Sequence, residues 1–186
     1  MTKSQTPMPI KANAELQKFE NNGLFYDLNH LSPFTITVTP KADGAPTFTV
    51  LVTFGHHCFT REWREGTDDP ALRYALDRDV RYFCPKRYVL SFELATIVKA
   101  AATGKVYFSQ DRNYLIVEAV DGLAGAYAVF FKLEKAGRLR KADAVMFVVS
   151  AYEKRNLPAK SRLPSISFAT LVAKTVRGEK IIAPKK

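Results

Sequence analysis

KVYFSQDRNYLIVEAVDGLAGAYAVFFKLEKAGRLRKADAVMFVVSAY, running from Lys105 to Tyr152, holds four apolar segments separated by polar turns. Lys105 to Ser109 and Tyr114 to Val120 flank the turn Gln110-Asp111-Arg112-Asn113, Asp121-Gly122 marks the next reversal, and Lys135 to Asp143 separates Ala126 to Glu134 from Ala144 to Tyr152. Short apolar runs bounded by turn residues read as strands, and short connections make consecutive strands antiparallel neighbours. The stretch predicts a four-strand meander. In its last segment Val145, Phe147 and Val149 alternate with Met146, Val148 and Ser150. Both sets are mostly apolar, so this strand is covered on both faces and lies centrally.

Upstream, Phe34, Ile36 and Val38 alternate with Thr35, Thr37 and Thr39, and Phe48, Val50, Val52 and Phe54 repeat the pattern. That is the period of half-buried strands, and Asp43-Gly44 between Pro40 and Pro46 joins them as a hairpin with a longer loop. Gly55 is expected to break the second strand, and His56 to Arg61 to start a loop. A helix is predicted over Ala71 to Val80, capped by Asp68 or Asp69 with Pro70 at its first position. A better one starts at Ser91, with Leu94, Ile97, Val98 and Ala101 at helical spacing and Gly104 as its end. Ser165 to Arg177 places Phe168, Leu171, Val172 and Val176 on one helical face before Gly178. A short helix from about Asn13 to Glu20 would close at Asn21-Asn22-Gly23. The fold class is α+β: an antiparallel β-sheet, made of an N-terminal hairpin plus a C-terminal four-strand meander, packed with two to four helices. Residues 1–10 read as a mobile lead-in, 11–179 as a single domain and 180–186 as a basic tail.

The 186 residues are 47% hydrophobic and 25% charged, which argues against disorder, collagen-like sequence and a coiled coil. Cys58 and Cys84 are the only cysteines, and a chain of this length needs no disulfide to stabilise its core, so both are read as reduced. The first twenty residues lack a secretory apolar run and no transmembrane stretch follows. The expected compartment is the cytoplasm, with no membrane partner. A formal charge of +10 points toward polyanions. Residues 1–131 carry 14 basic and 14 acidic side chains, whereas 132–186 carry 14 and 4. The C-terminal third therefore holds the whole excess.

Three groups of residues offer chemistry. His56 and His57, two of the three histidines, follow a strand with Arg61 close behind. An imidazole there suits general acid or base work near neutrality, and adjacent residues of an extended chain point to opposite sides, so one histidine is expected to face a given site. His56, His57 and Arg61 are the catalytic candidates. Zinc held by Cys58, Cys84 and a histidine is the lesser reading, because the spacing matches no finger or ribbon. In Arg81-Tyr82-Phe83-Cys84-Pro85-Lys86-Arg87-Tyr88, cations interleave with aromatics that can stack on bases, as single-stranded nucleic acid requires. Arg81, Tyr82, Lys86, Arg87 and Tyr88 are its binding candidates. Lys132, Arg138, Arg140, Lys141, Tyr152, Lys154 and Arg155 add a basic late-strand set. Tyr127 and Ser150 offer hydroxyls on the same strands. Phosphate loops, dinucleotide fingerprints and nucleophile elbows are absent, so neither cofactor nor metal is expected.

A helical early part followed by the basic Lys105 to Tyr152 meander, rich in Tyr, Arg and Ser, is similar to the small metal-independent ribonuclease toxins of the barnase, colicin and RelE-like kind. The resemblance implies RNA cleavage by a sheet-borne constellation, and a cognate protein inhibitor as partner. His57-Cys58-Phe59-Thr60-Arg61 and Phe83-Cys84-Pro85-Lys86-Arg87-Tyr88 also resemble stretches of short bacterial plasmid and phage proteins of uncharacterised role. The expectation is a cytoplasmic protein directed at nucleic acid, RNA rather than DNA, working as a toxin-type ribonuclease. The alternative is a non-catalytic module of a mobile element that binds nucleic acid or a host protein.

Overall fold

A computed structural model describes residues 18–41, 43–76, 78–109, 114–137 and 141–184. In chain order the elements are β1 (Lys18–Asn21), β2 (Leu24–Asp27), β3 (Phe34–Val38), β4 (Phe48–His57), β5 (Thr60–Glu62), β6 (Arg73–Leu76), β7 (Asp79–Phe83), α1 (Pro85–Ser91), α2 (Leu94–Ala101), β8 (Lys105–Phe108), β9 (Tyr114–Glu118), β10 (Ala126–Lys135), β11 (Ala144–Lys154), β12 (Ser165–Ser167) and α3 (Phe168–Arg177). Among the described residues this is a mixed α+β chain of three helices, and none of them is long and apolar enough to cross a membrane.

The meander forms as its alternation dictates. β8, β9, β10 and β11 pair antiparallel in succession. The sheet itself differs from the expectation, because β4 lies parallel to β11, so hairpin and meander fuse into one seven-stranded mixed sheet of order β12-β8-β9-β10-β11-β4-β3. The cause is that both strands are buried on two faces: Val145, Met146 and Val148 in β11 and Val50, Val52, Thr53 and Phe54 in β4 all lie inside. Two such strands bury most surface side by side, at about 1.5–3 kcal/mol for each large apolar side chain. One face carries α2 and α3, whose Leu94, Val98, Phe168, Leu171 and Val172 join Val129, Phe131 and Met146 in the main core. Leu157 and Leu163 pack with Leu115, Val117 and Ala128 in a smaller cluster.

Four local expectations are corrected. Residues 18–21 are β1, and Asn22 (φ 47°) with Gly23 (φ 79°) makes the tight turn into β2. Left-handed values at both central positions suit a two-residue hairpin. The lead-in and the start of the proposed first helix lie outside the described residues. Asp69 does cap, accepting from Ala71 N at 2.9 Å. Its helix stops after the short turn Pro70–Leu72, because the chain then alternates as the antiparallel strands β6 and β7. Ser91 ends α1 instead of capping α2, its hydroxyl donating to Tyr88 O at 2.6 Å. Ser165 to Ser167 forms β12 before α3, which Ser167 caps through Thr170 N and which closes on left-handed Gly178 as expected.

Candidate functional site

Gly55 does not end β4. The strand continues through His57, and the register with β11 slips from Phe54 opposite Val148 to His57 opposite Ser150. Two β4 residues, Gly55 and His56, therefore face one β11 residue, Val149, which is a β-bulge. A Cβ at Gly55 would lie 3.0 Å from the Phe147 ring and 3.1 Å from Val149 O. Any side chain there would force Phe147 or the β11 backbone to give way, and glycine spares the close approach.

The expectation that one histidine alone faces the site is overturned, because the chain turns tightly straight after the bulge: Cys58 N–H donates to Gly55 O at 3.0 Å, with His56 and His57 as the two central residues. His56 Nε2 and His57 Nε2 both reach Asp79 Oδ2, at 2.9 and 3.3 Å. Their rings meet edge to face with centroids 4.5 Å apart. Tyr74 stacks beside His56 at 5.8 Å. Asp79 opens β7, and Arg81, two residues on, places Nη1 3.9 Å from Asp79 Oδ1. Thr60 braces both sides, donating to His56 O at 2.8 Å and accepting from Arg81 Nε at 3.1 Å. Arg87 reaches back from α1 to the carbonyls of His57 and Thr60.

Charges here are strongly coupled. Burial works against the Asp79 carboxylate, yet the bonds from His56 and His57 and the charge of Arg81 hold its pKa below the ordinary value. Burial, then Arg81, push His57 below the ordinary imidazole range, with Asp79 opposing. Burial also lowers Arg87. Such a cluster of titratable groups around one carboxylate marks a candidate for proton chemistry.

Of the candidates named from the sequence, His56, His57, Arg81 and Arg87 come together. Arg61 donates to Asp68 through both Nη1 and Nη2 and lies 3.8 Å over the Tyr82 ring, so Arg61 and Tyr82 partner each other. Lys86 and Arg155 both pair with Glu153, at 2.6 and 3.7 Å. Tyr88 donates to Asp27 O and packs on Tyr26, Phe83 and Phe92. Tyr152 stacks on Phe130 and takes the Arg87 guanidinium 4.9 Å from its ring centre, while Lys154 lies 5.6 Å from the Phe130 ring. Lys132 and Lys141 are exposed; Lys141 precedes β11, whose start is ~20 Å along the strand from Ser150. Arg138 and Arg140 lie outside the described residues. Tyr127 is wholly buried and offers no hydroxyl to a ligand.

The cysteine–zinc reading does not fit. Cys58 is buried with its thiol directed at Val148 O, and burial raises it to about 12, which keeps it protonated. Among the described residues the one His/Cys/carboxylate cluster with converging donor atoms is His56, His57 and Asp79. Asp79 was missed because residues 71–80 read as helix. The alternation Asp79, Arg81, Phe83 against Val80, Tyr82 was the available signal for a strand.

The model of the YjaZ family matches residues 18–176. The chain belongs to the YjaZ family. Within this YjaZ-family span fall all the strands of the described residues, together with His56, His57, Asp79, Arg81 and Arg87. Comparison with curated proteins and with solved structures found no match.

Proposed function

We propose that the chain is a cytoplasmic, RNA-directed enzyme that cleaves by attack of a ribose 2′-hydroxyl on the adjacent phosphorus. The observation that supports this is the convergence of two imidazoles on one carboxylate with Arg81 beside it. Donation of Nε2–H to Asp79 leaves Nδ1 of a neutral histidine with its lone pair, the form a general base needs. One histidine takes the 2′-hydroxyl proton as the O2′–P bond forms, and the other, as imidazolium, protonates the departing 5′-oxygen. The products are a 2′,3′-cyclic phosphate and a free 5′-hydroxyl. Asp79 stabilises the imidazolium, and Arg81 faces the charge that grows on the phosphorane oxygens.

Labelled single-stranded RNA and its DNA counterpart, incubated with the purified chain, test this. Cleavage of RNA to cyclic-phosphate ends is expected, and DNA, lacking the 2′-hydroxyl, stays whole. Changing His56 and His57 together to Ala should cost about 10²–10⁴-fold in rate with an unchanged melting curve. RNA left intact by the wild-type chain removes the enzyme reading. The binding-module reading draws on exposed Lys132 and Lys141 within the basic third. It predicts RNA affinity that survives the double substitution and falls with salt at a slope of about −0.7 for each phosphate neutralised.

A further inference from the structure

We propose that His56, His57 and Asp79 bind a divalent transition-metal ion of the zinc class, and that occupancy holds the RNA chemistry of these same residues inactive. The regulatory half rests on the reading of this site as RNA-directed; the metal site rests on the donor atoms alone. Two imidazole nitrogens and one carboxylate oxygen lie within 4.8 Å of one another. That donor set suits zinc, nickel, cobalt or copper, whereas magnesium and calcium favour oxygen throughout. Around a tetrahedral zinc with bonds of about 2.0–2.1 Å, ligand atoms stand ~3.3 Å apart. The two Nε2-to-Oδ2 separations, 2.9 and 3.3 Å, are already close to that.

The surroundings favour an exchangeable ion over a structural one. Three protein ligands leave a fourth position open, and Asp79 is 44% exposed. Arg81 sits on the Oδ1 side, leaving Oδ2 turned to the imidazoles. The ligands are held from behind: Thr60 grips the His56 carbonyl, Arg87 the His57 carbonyl, and Tyr74 flanks the His56 ring. A bound ion takes the Nε2 lone pairs, so Nε2 can no longer carry the proton that it donates to Asp79. Metal binding and the proton-transfer state therefore exclude each other. The sequence concealed this set because Asp79 lies 22 residues beyond His57, without any metal-motif spacing.

Zinc chloride titrated calorimetrically into the full chain, stripped with EDTA and exchanged, should give one saturable site. His57→Ala and Asp79→Asn should each weaken it by more than the roughly 10–100-fold that loss of a mere supporting partner costs. No saturable binding, or equal binding by well-folded His56→Ala/His57→Ala, overturns the site. Cobalt in the wild-type chain decides without any variant. Tetrahedral d–d bands lacking a thiolate charge-transfer band support His/Asp ligation, and a thiolate band overturns it by placing the ion on Cys58 or Cys84. Where RNA is cleaved, one equivalent of zinc should abolish cleavage and EDTA restore it; cleavage at full occupancy overturns the regulation. If RNA is not cleaved at all, the proposed function and its regulation fall together, while calorimetry and the cobalt spectrum still decide the metal site.

Discussion

The parallel strands β4 and β11 end side by side, and each end uses a carboxylate in a different way. At the β11 end Glu153 is 11% exposed and fully engaged, with Lys86 at 2.6 Å, Arg155 at 3.7 Å and the backbone N–H groups of Ala124 and Gly125 at 3.0 and 3.1 Å. At the β4 end Asp79 is 44% exposed and met by two imidazoles, at 2.9 and 3.3 Å. The first is a clasp that ties α1 and the β9–β10 connection to β11. The second leaves the carboxylate itself open to solvent, between two half-buried imidazoles. A carboxylate with cationic neighbours is therefore not by itself a site; what matters is whether the carboxylate is enclosed by permanently charged groups and backbone donors, or exposed beside imidazoles.

The largest effect that could break this contrast comes from Asp79→Asn, which should lower RNA cleavage by about 10²–10⁴-fold and leave the melting temperature close to wild type. A comparable loss from Glu153→Gln would erase the distinction. Next is Gly55→Ala. Its new Cβ meets Phe147 and Val149 O at 3.0–3.1 Å, so overpacking should cost about 1–3 kcal/mol in denaturant melts. By shifting the bulge it should also lower activity, whereas full activity would show that the bulge does not aim the histidines. Glu153→Gln should lower the melting temperature while sparing the rate, since it releases Lys86, Arg155 and one turn but touches neither histidine.

The smallest expected effect is a pH dependence remote from both carboxylates. Burial lowers the pKa of His30, against the pull of Asp27; its ring stacks 3.8 Å from that of Phe92 and its Nε2 lies 2.6 Å from Ser91 Oγ. In the unfolded chain the imidazole takes a proton near its ordinary value of about 6.5, earlier than in the fold. The folded state is thus favoured above that pH, and stability falls as pH drops below it. His57 contributes in the same direction. His30→Asn should flatten part of the decline between pH 7.5 and 5.5 in denaturant melts, and an unchanged slope would contradict the assignment.

Much of the fold was readable because its signals are local. The meander follows from apolar runs and turn residues, α3 from one apolar face and a stopping glycine, and Asp69 from its capping chemistry. Local reading failed where distant pairing decides. Pro70 after an acidic pair starts a helix on propensity, yet pairing with β7 turns residues 73–76 into a strand. The cation-aromatic run from Arg81 to Tyr88 resembled a base-stacking surface in composition, but Phe83 is wholly buried and Tyr88 packs beside it.

From its own order of residues this chain determined a mixed α+β fold with a central β11, an uneven charge and a histidine pair of chemical interest, because alternation, capping and composition act over a few neighbouring positions. Only the tertiary structure decided that β4 lies parallel to β11, that both histidines turn to one side just beyond the bulge at Gly55, and that Asp79 from β7 meets them. Those outcomes depend on burying two apolar strands together across almost a hundred residues of chain, and no local propensity encodes such a pairing.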